Sequence, residues 1–162
     1  MGKLKKAESL LVKLESAALV ALLGGMSSLA FLQVLRRELF GSGALWADPL
    51  LRSLVLWVGF LGAALAAAED KHFAWEAGAH RSGRYGAALN LIGKLAAVCV
   101  SLLLMRAAWN FFLDDQSAGR PLALIGNLAV PSWLFSLAIP VGFALLAVHM
   151  ALRAAEAAAK LR

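Results

Sequence analysis

Three stretches of this 162-residue chain contain no Asp, Glu, Lys or Arg: Ser16 to Leu35, Ser53 to Ala68 and Pro121 to Leu152. A helix crossing the hydrocarbon core of a bilayer needs about 20 predominantly apolar residues. The first and third stretches are long enough alone, and the second becomes so with Leu50 and Leu51. Hydrophobic residues form 61% of the chain and charged residues 16%, against roughly 45–50% and ~25% in a soluble domain. A fold of this size buries only about 70% of the surface its unfolded chain exposes, so the surplus would face water. Neither a disordered chain, a disulfide-stapled secreted domain nor a sizeable soluble enzyme fits this composition. The expectation is an all-α integral membrane protein with four transmembrane helices and amphipathic interfacial segments.

The spans are placed at 17–37, 50–69, 89–110 and 131–152, in one membrane domain covering 1–162. Residues 1–16 set Leu4, Ala7, Leu11 and Leu14 on one helical face, with Lys3, Lys6, Lys13 and Glu8 largely elsewhere. This is the recurrence of an amphipathic helix, and its lysines suit a cytoplasmic membrane surface. A secretory signal is disfavoured, because the apolar run continues to Leu35 and exceeds the usual 7–15 residues. Gly41-Ser42-Gly43 breaks the chain after the first span, and Asp48-Pro49 reads as an N-cap followed by proline at the first helical position. Lys94 and Arg106 interrupt the third span about 18 Å apart along a helix, so each is expected to reach an opposite lipid interface. Pro140-Val141-Gly142 predicts a kink in the fourth. The apolar stretch Pro121 to Val130 is too short for a fifth span and is expected in the outer interface or re-entering against a partner.

Four spans put the termini and the 2–3 loop on one side, with eleven Lys and Arg residues there and five on the other. By the positive-inside rule both termini are expected in the cytoplasm. The net charge of +6 is spread between spans and forms no stripe for nucleic acid; anionic lipid headgroups are the simpler partner.

Individual residues then suggest contacts. Gly59, Gly62, Ala63 and Ala66 share one narrow face of the second helix, where backbones in lipid can approach closely, either within the chain or against another protein. Arg37, Asp48 and Arg52 fall at the outer interface, where an ion pair or hydrogen bond would lock the hairpin or dock a partner; Trp46 and Trp57 either anchor an edge or line a contact. Paired His72 and His149 across spans two and four would suit haem iron, but His72 follows the polar Glu69-Asp70-Lys71, so surface or interfacial histidines are expected and no cofactor is assigned. Phe73, Ala74, Trp75 and Glu76 with Tyr85 suggest an inner interfacial helix. Asp114 and Asp115 read as a solvated loop. Cys99 is the sole cysteine, which precludes an internal disulfide and leaves no zinc-ligand spacing. No catalytic triad, paired intramembrane carboxylates or phosphate loop occurs, so no enzyme is expected.

The stretch Leu32 to His72 resembles the small membrane subunit of tripartite ATP-independent periplasmic (TRAP) transporters, the DctQ-like family. Gln33-Val34-Leu35-Arg36-Arg37-Glu38-Leu39-Phe40 matches the end of that family's first span, with Gln33 and Glu38 in place of the usual Asn and Tyr. A turn with Trp46, Asp48, Leu50 and Arg52 follows, Pro49 standing where a second acid is usual. Trp57, then Phe60-Leu61-Gly62-Ala63-Ala64, and His72 beyond the span continue the likeness. Leu128 to Trp133 and Ile139 to Phe143 resemble the approach to the fourth span and its middle. The resemblance implies a scaffold for a large permease subunit in the inner membrane, in sodium-coupled uptake of an organic acid delivered by a periplasmic solute-binding protein. A small b-type cytochrome-like redox subunit and a free-standing membrane adaptor are the alternatives from other classes.

Overall fold

The computed structural model describes residues 2–68, 84–125 and 127–160. Its elements run α1 (Gly2–Phe40), α2 (Ala47–Ala68), α3 (Arg84–Ala118), β1 (Pro121–Ile125), β2 (Leu128–Pro131), α4 (Trp133–Ser136) and α5 (Ala138–Lys160). Four helices are long and apolar enough to cross a membrane, drawn from α1, α2, α3 and the combined α4–α5 segment. The described residues are all-α apart from one two-stranded hairpin.

Residues 2–16 are helical and continuous with the first span, the helix running unbroken from Gly2 to Phe40. At 39 residues α1 measures about 58 Å, roughly twice a hydrocarbon core of ~30 Å. Gly41 ends it with a left-handed φ of 68°, and its N–H donates to the Arg37 carbonyl at 3.0 Å; glycine takes that conformation without a Cβ penalty. The next helix starts at Ala47, so Asp48 lies inside its first turn rather than capping it. An acid there still complements the helix dipole, and Pro49 needs no N–H partner so early in the helix.

In the fourth span, where a kink is expected, the helix ladder is broken a turn before Pro140. The fourth span is interrupted at Leu137, between α4 and α5, because proline lacks an N–H and its ring crowds the carbonyl four residues back. Leu137 nevertheless keeps φ −58° and ψ −25°, so the break is in the hydrogen-bond ladder more than in the backbone conformation.

The stretch 121–130 takes the form of two paired strands. Its apolar residues form an antiparallel β-hairpin in which Ala123 faces Val130, Leu124 faces Ala129 and Ile125 faces Leu128, with an irregularity between Pro121 and Ala123.

Helix packing follows the order α1, α2, α5, α3, with α2 and α5 central. Small residues make this close: Ala64, Ala67, Ala138 and Ala147 are buried. Phe60 of α2 meets Phe143 of α5 edge-on, with ring centroids 5.2 Å apart. Gly142 beside it is shaped by that ring, since a Cβ there would overlap Phe60. The outer helices contribute little to the core; Leu14, Val20, Phe31, Leu95, Val100 and Leu103 are all exposed, as membrane-facing side chains would be.

Candidate functional site

The described residues gather no group of side chains that could hold a metal ion, and the informative chemistry is where polar side chains join helices and where helix faces stay open. At one end of the bundle, α1 and α5 run antiparallel and present matched charges. Glu15 on α1 lies opposite His149 on α5, with Nε2 3.0 and 3.1 Å from the two carboxylate oxygens. His149 is fully buried and Glu15 nearly so. About one turn further along α5, Arg153 pairs with Glu8 at 3.1 Å and with Glu156 at 3.1 Å. The same guanidinium donates to the Ala68 carbonyl at the C-terminus of α2, a favourable place for a cation. Arg153 therefore ties the N-terminal part of α1 to the C-terminal ends of α2 and α5. The two terminal helices share one end of the bundle.

At the opposite end, Gln33 closes the α1–α2 hairpin. Its Oε1 accepts from the Ala44 N–H at 3.2 Å, while Nε2 donates to the Ala44 carbonyl at 3.1 Å and to Asp48 Oδ1 at 3.3 Å. The expected Arg37, Asp48 and Arg52 ion pairing is not formed among the described residues. Asp48 is engaged by the amide instead, Arg37 lies one turn beyond Gln33, and all three of these charged side chains are exposed.

Beside this hairpin, Asp115 is buried rather than solvated. It accepts from the Ser132 hydroxyl at 2.9 Å and the Ser136 hydroxyl at 2.5 Å, with Arg120 at 3.8 Å. The Ser132 N–H donates to the Arg120 carbonyl at 3.0 Å, closing the base of the β-hairpin. Gly119, at φ 59°, lets α3 stop immediately before it. Trp109, Phe112 and Trp133 stack nearby, at centroid distances of 5.4 and 6.3 Å.

The sequence-predicted residues divide clearly. Trp57 lines an apolar groove of about 530 Å³ between α1 and α2, with Ala18, Ala21, Leu22, Leu54 and Leu61. Trp46 is half-buried at the turn. Gly59 and Gly62 have open space where a side chain would sit, and Ala63 and Ala66 are only half-buried. The small-residue face is thus left uncovered around Gly59 and Gly62 by the described residues of this chain. Arg106 is exposed on α3, whereas Lys94 is half-buried.

Sequence reasoning missed Glu15, Gln33 and Asp115 as interhelical contacts. A signal existed for the first: Glu8, Leu11 and Glu15 share a helical stripe by their i, i+3, i+7 spacing, so the apolar face of α1 carries acids. His149 is a core residue, not an interfacial one; its Nε2 faces Glu15, while its buried Nδ1 meets no hydrogen-bond partner among the described residues. His72, His80 and the inner interfacial helix lie outside the described residues.

Comparison with known proteins adds two findings. Residues 26–160 match the family model described as tripartite ATP-independent periplasmic transporters, DctQ component. The chain is also 31% identical over 105 residues to a Haemophilus influenzae protein named as a candidate TRAP transporter small permease. That alignment covers 64% of this chain and 65% of the relative, so it spans somewhat under two thirds of the relative's length.

Proposed function

This chain belongs to the DctQ family of TRAP transporters, and from that membership we propose that it is the fixed scaffold on which a larger permease subunit is mounted. In this reading it works in the inner membrane, both termini in the cytoplasm, during sodium-coupled uptake of an organic acid handed over by a periplasmic solute-binding protein. The family is a transport component, and the chain acts by holding a partner, with no chemistry or cofactor of its own.

The observation that carries this reading is the uncovered face of α2. Small residues in a bilayer promote helix association because they let backbones approach, yet among the described residues a side chain added at Gly59 or Gly62 would meet only open space. A helix of the large subunit seats against Gly59, Gly62, Ala63 and Ala66. Arg37, Arg52, Trp46 and Asp48 frame the outer end of that seam, where charge and aromatic rings suit a headgroup-level contact. Trp57, on the α1 side, positions the neighbouring wall. Lys94 and Arg106 of α3 bind lipid phosphate. The side that holds the two termini and the 2–3 loop carries eleven of the 16 Lys and Arg residues, which supports a cytoplasmic placement of the termini by the positive-inside rule.

The test is Gly62→Leu, with Gly59→Leu as a second variant. Open space at both positions means that the isolated chain should keep its melting temperature. Capture of the co-expressed large permease on an affinity tag should fall sharply, and sodium-driven uptake with it. Full capture and uptake in both variants would remove the scaffold face from α2. Unchanged uptake after deletion of the whole chain would remove the scaffold role itself.

A further inference from the structure

We propose that the β1–β2 hairpin is a membrane anchor whose apolar tip sits in the headgroup region of the outer leaflet. A hairpin resting on a protein surface has one dry face and one wet face, so its strands alternate between apolar and polar residues. This one does not alternate. The pairing of Ile125 with Leu128 and of Leu124 with Ala129 puts Ile125 and Leu128 on one face, Leu124 and Ala129 on the other. Apart from Asn127 in the turn, both faces are apolar near the tip, and Leu124 and Leu128, on opposite faces, are 63% and 74% exposed. No charged residue occurs between Pro121 and Leu152.

Rigid attachment makes those side chains an anchor rather than a loose loop. Asp115 holds Ser132 and Ser136 at the base, Ser132 is bonded to Arg120, Ala123 is buried, and β1 lies against α2. Trp109, Phe112 and Trp133 mark the adjoining headgroup level, where aromatic rings concentrate. Depth is limited from below as well. A two-stranded sheet leaves backbone groups unpaired along its edge, and open sheet edges are not tolerated in hydrocarbon. The tip therefore stops among headgroups, where water and lipid oxygens satisfy the edge while the leucines reach the first methylenes. A soluble receptor is the poorer occupant, since the tip offers it no charge and only a narrow blade.

Single cysteines at Leu124 and at Leu128, in a Cys99→Ser background, can be labelled with an environment-sensitive fluorophore and reconstituted as full chain into phosphatidylethanolamine–phosphatidylglycerol vesicles. Gln116→Cys, on the exposed polar turn ending α3, is the control. Both tip positions should be quenched several-fold more by shallow doxyl-labelled lipid than by aqueous iodide, less by deep doxyl groups, and the control should show the reverse. Protection at only one of the two positions means the hairpin lies on protein and overturns the proposal. Iodide quenching at both does the same, as does loss of doxyl quenching at both when the large permease is present. Because no step requires transport, the outcome is independent of the scaffold reading.

Discussion

Gly142 is the residue at which the packing of the bundle is least forgiving. Its hydrogen is all that fits beside Phe60, so Gly142→Ala should destabilise the chain by about 1–3 kcal/mol, read as a lowered melting temperature in detergent. The same added methyl at Gly59 should be silent, which makes the pair a controlled comparison. Glu15 and His149 call for a double-mutant cycle. Removing one member of a buried pair strands the other, a cost of about 3–5 kcal/mol, whereas replacing both by apolar residues of similar volume is often neutral. Glu15→Leu and His149→Leu should each lower stability strongly in unfolding titrations, and the double variant should recover most of it. A double variant whose loss equals the sum of the two single losses would mean that the pair does not interact. At this scale the sequence was only partly legible. Composition marks Gly142 as small, but nothing local says that Phe60 lies above it, and a lone histidine in an apolar run does not name a partner on another helix.

Helices were the easiest elements to read, because an uncharged run of about 20 residues has few alternatives to spanning a bilayer. Their ends were harder: the lysine-rich start of α1 reads as a separate amphipathic segment, yet no glycine or proline falls between Lys3 and Leu23, and good helix formers continue the turn from one into the other. The β-hairpin was not legible, since a ten-residue apolar run without clear periodicity is ambiguous between strand and helix. Its bulge at Leu122 further obscures the alternation. What decides the matter is tertiary, the tie from Asp115 to Ser132 and Ser136. Asp115→Ala should leave two hydroxyls short of an acceptor, costing about 1–3 kcal/mol, and should expose the hairpin to added protease before the helices unfold. Asp115→Asn, which keeps a carbonyl acceptor, should lose less. If both variants resist protease as the parent does, the tie is not what holds the hairpin.

Taken whole, the molecule is a row of helices with two open flanks rather than a closed bundle, which leaves room for a larger neighbour. Arg153 gathers three helix ends at one pole, so cysteines placed near residues 2 and 160 should react with impermeant maleimide from the same side of the membrane, the cytoplasmic one. Labelling of the two ends from opposite sides would be incompatible with the four-span architecture. The pairing of Glu15 with His149 joins positions 134 residues apart. Synthesis at about 5–20 residues per second separates their emergence from the ribosome by roughly 7–27 s. For that interval the first-born helix carries a carboxylate whose mate has not been made. The last-born helix thus settles the resting depth of the first, and a ribosome stalled before codon 149 would leave α1 with the rest of its greasy surface in lipid and its acid still seeking water.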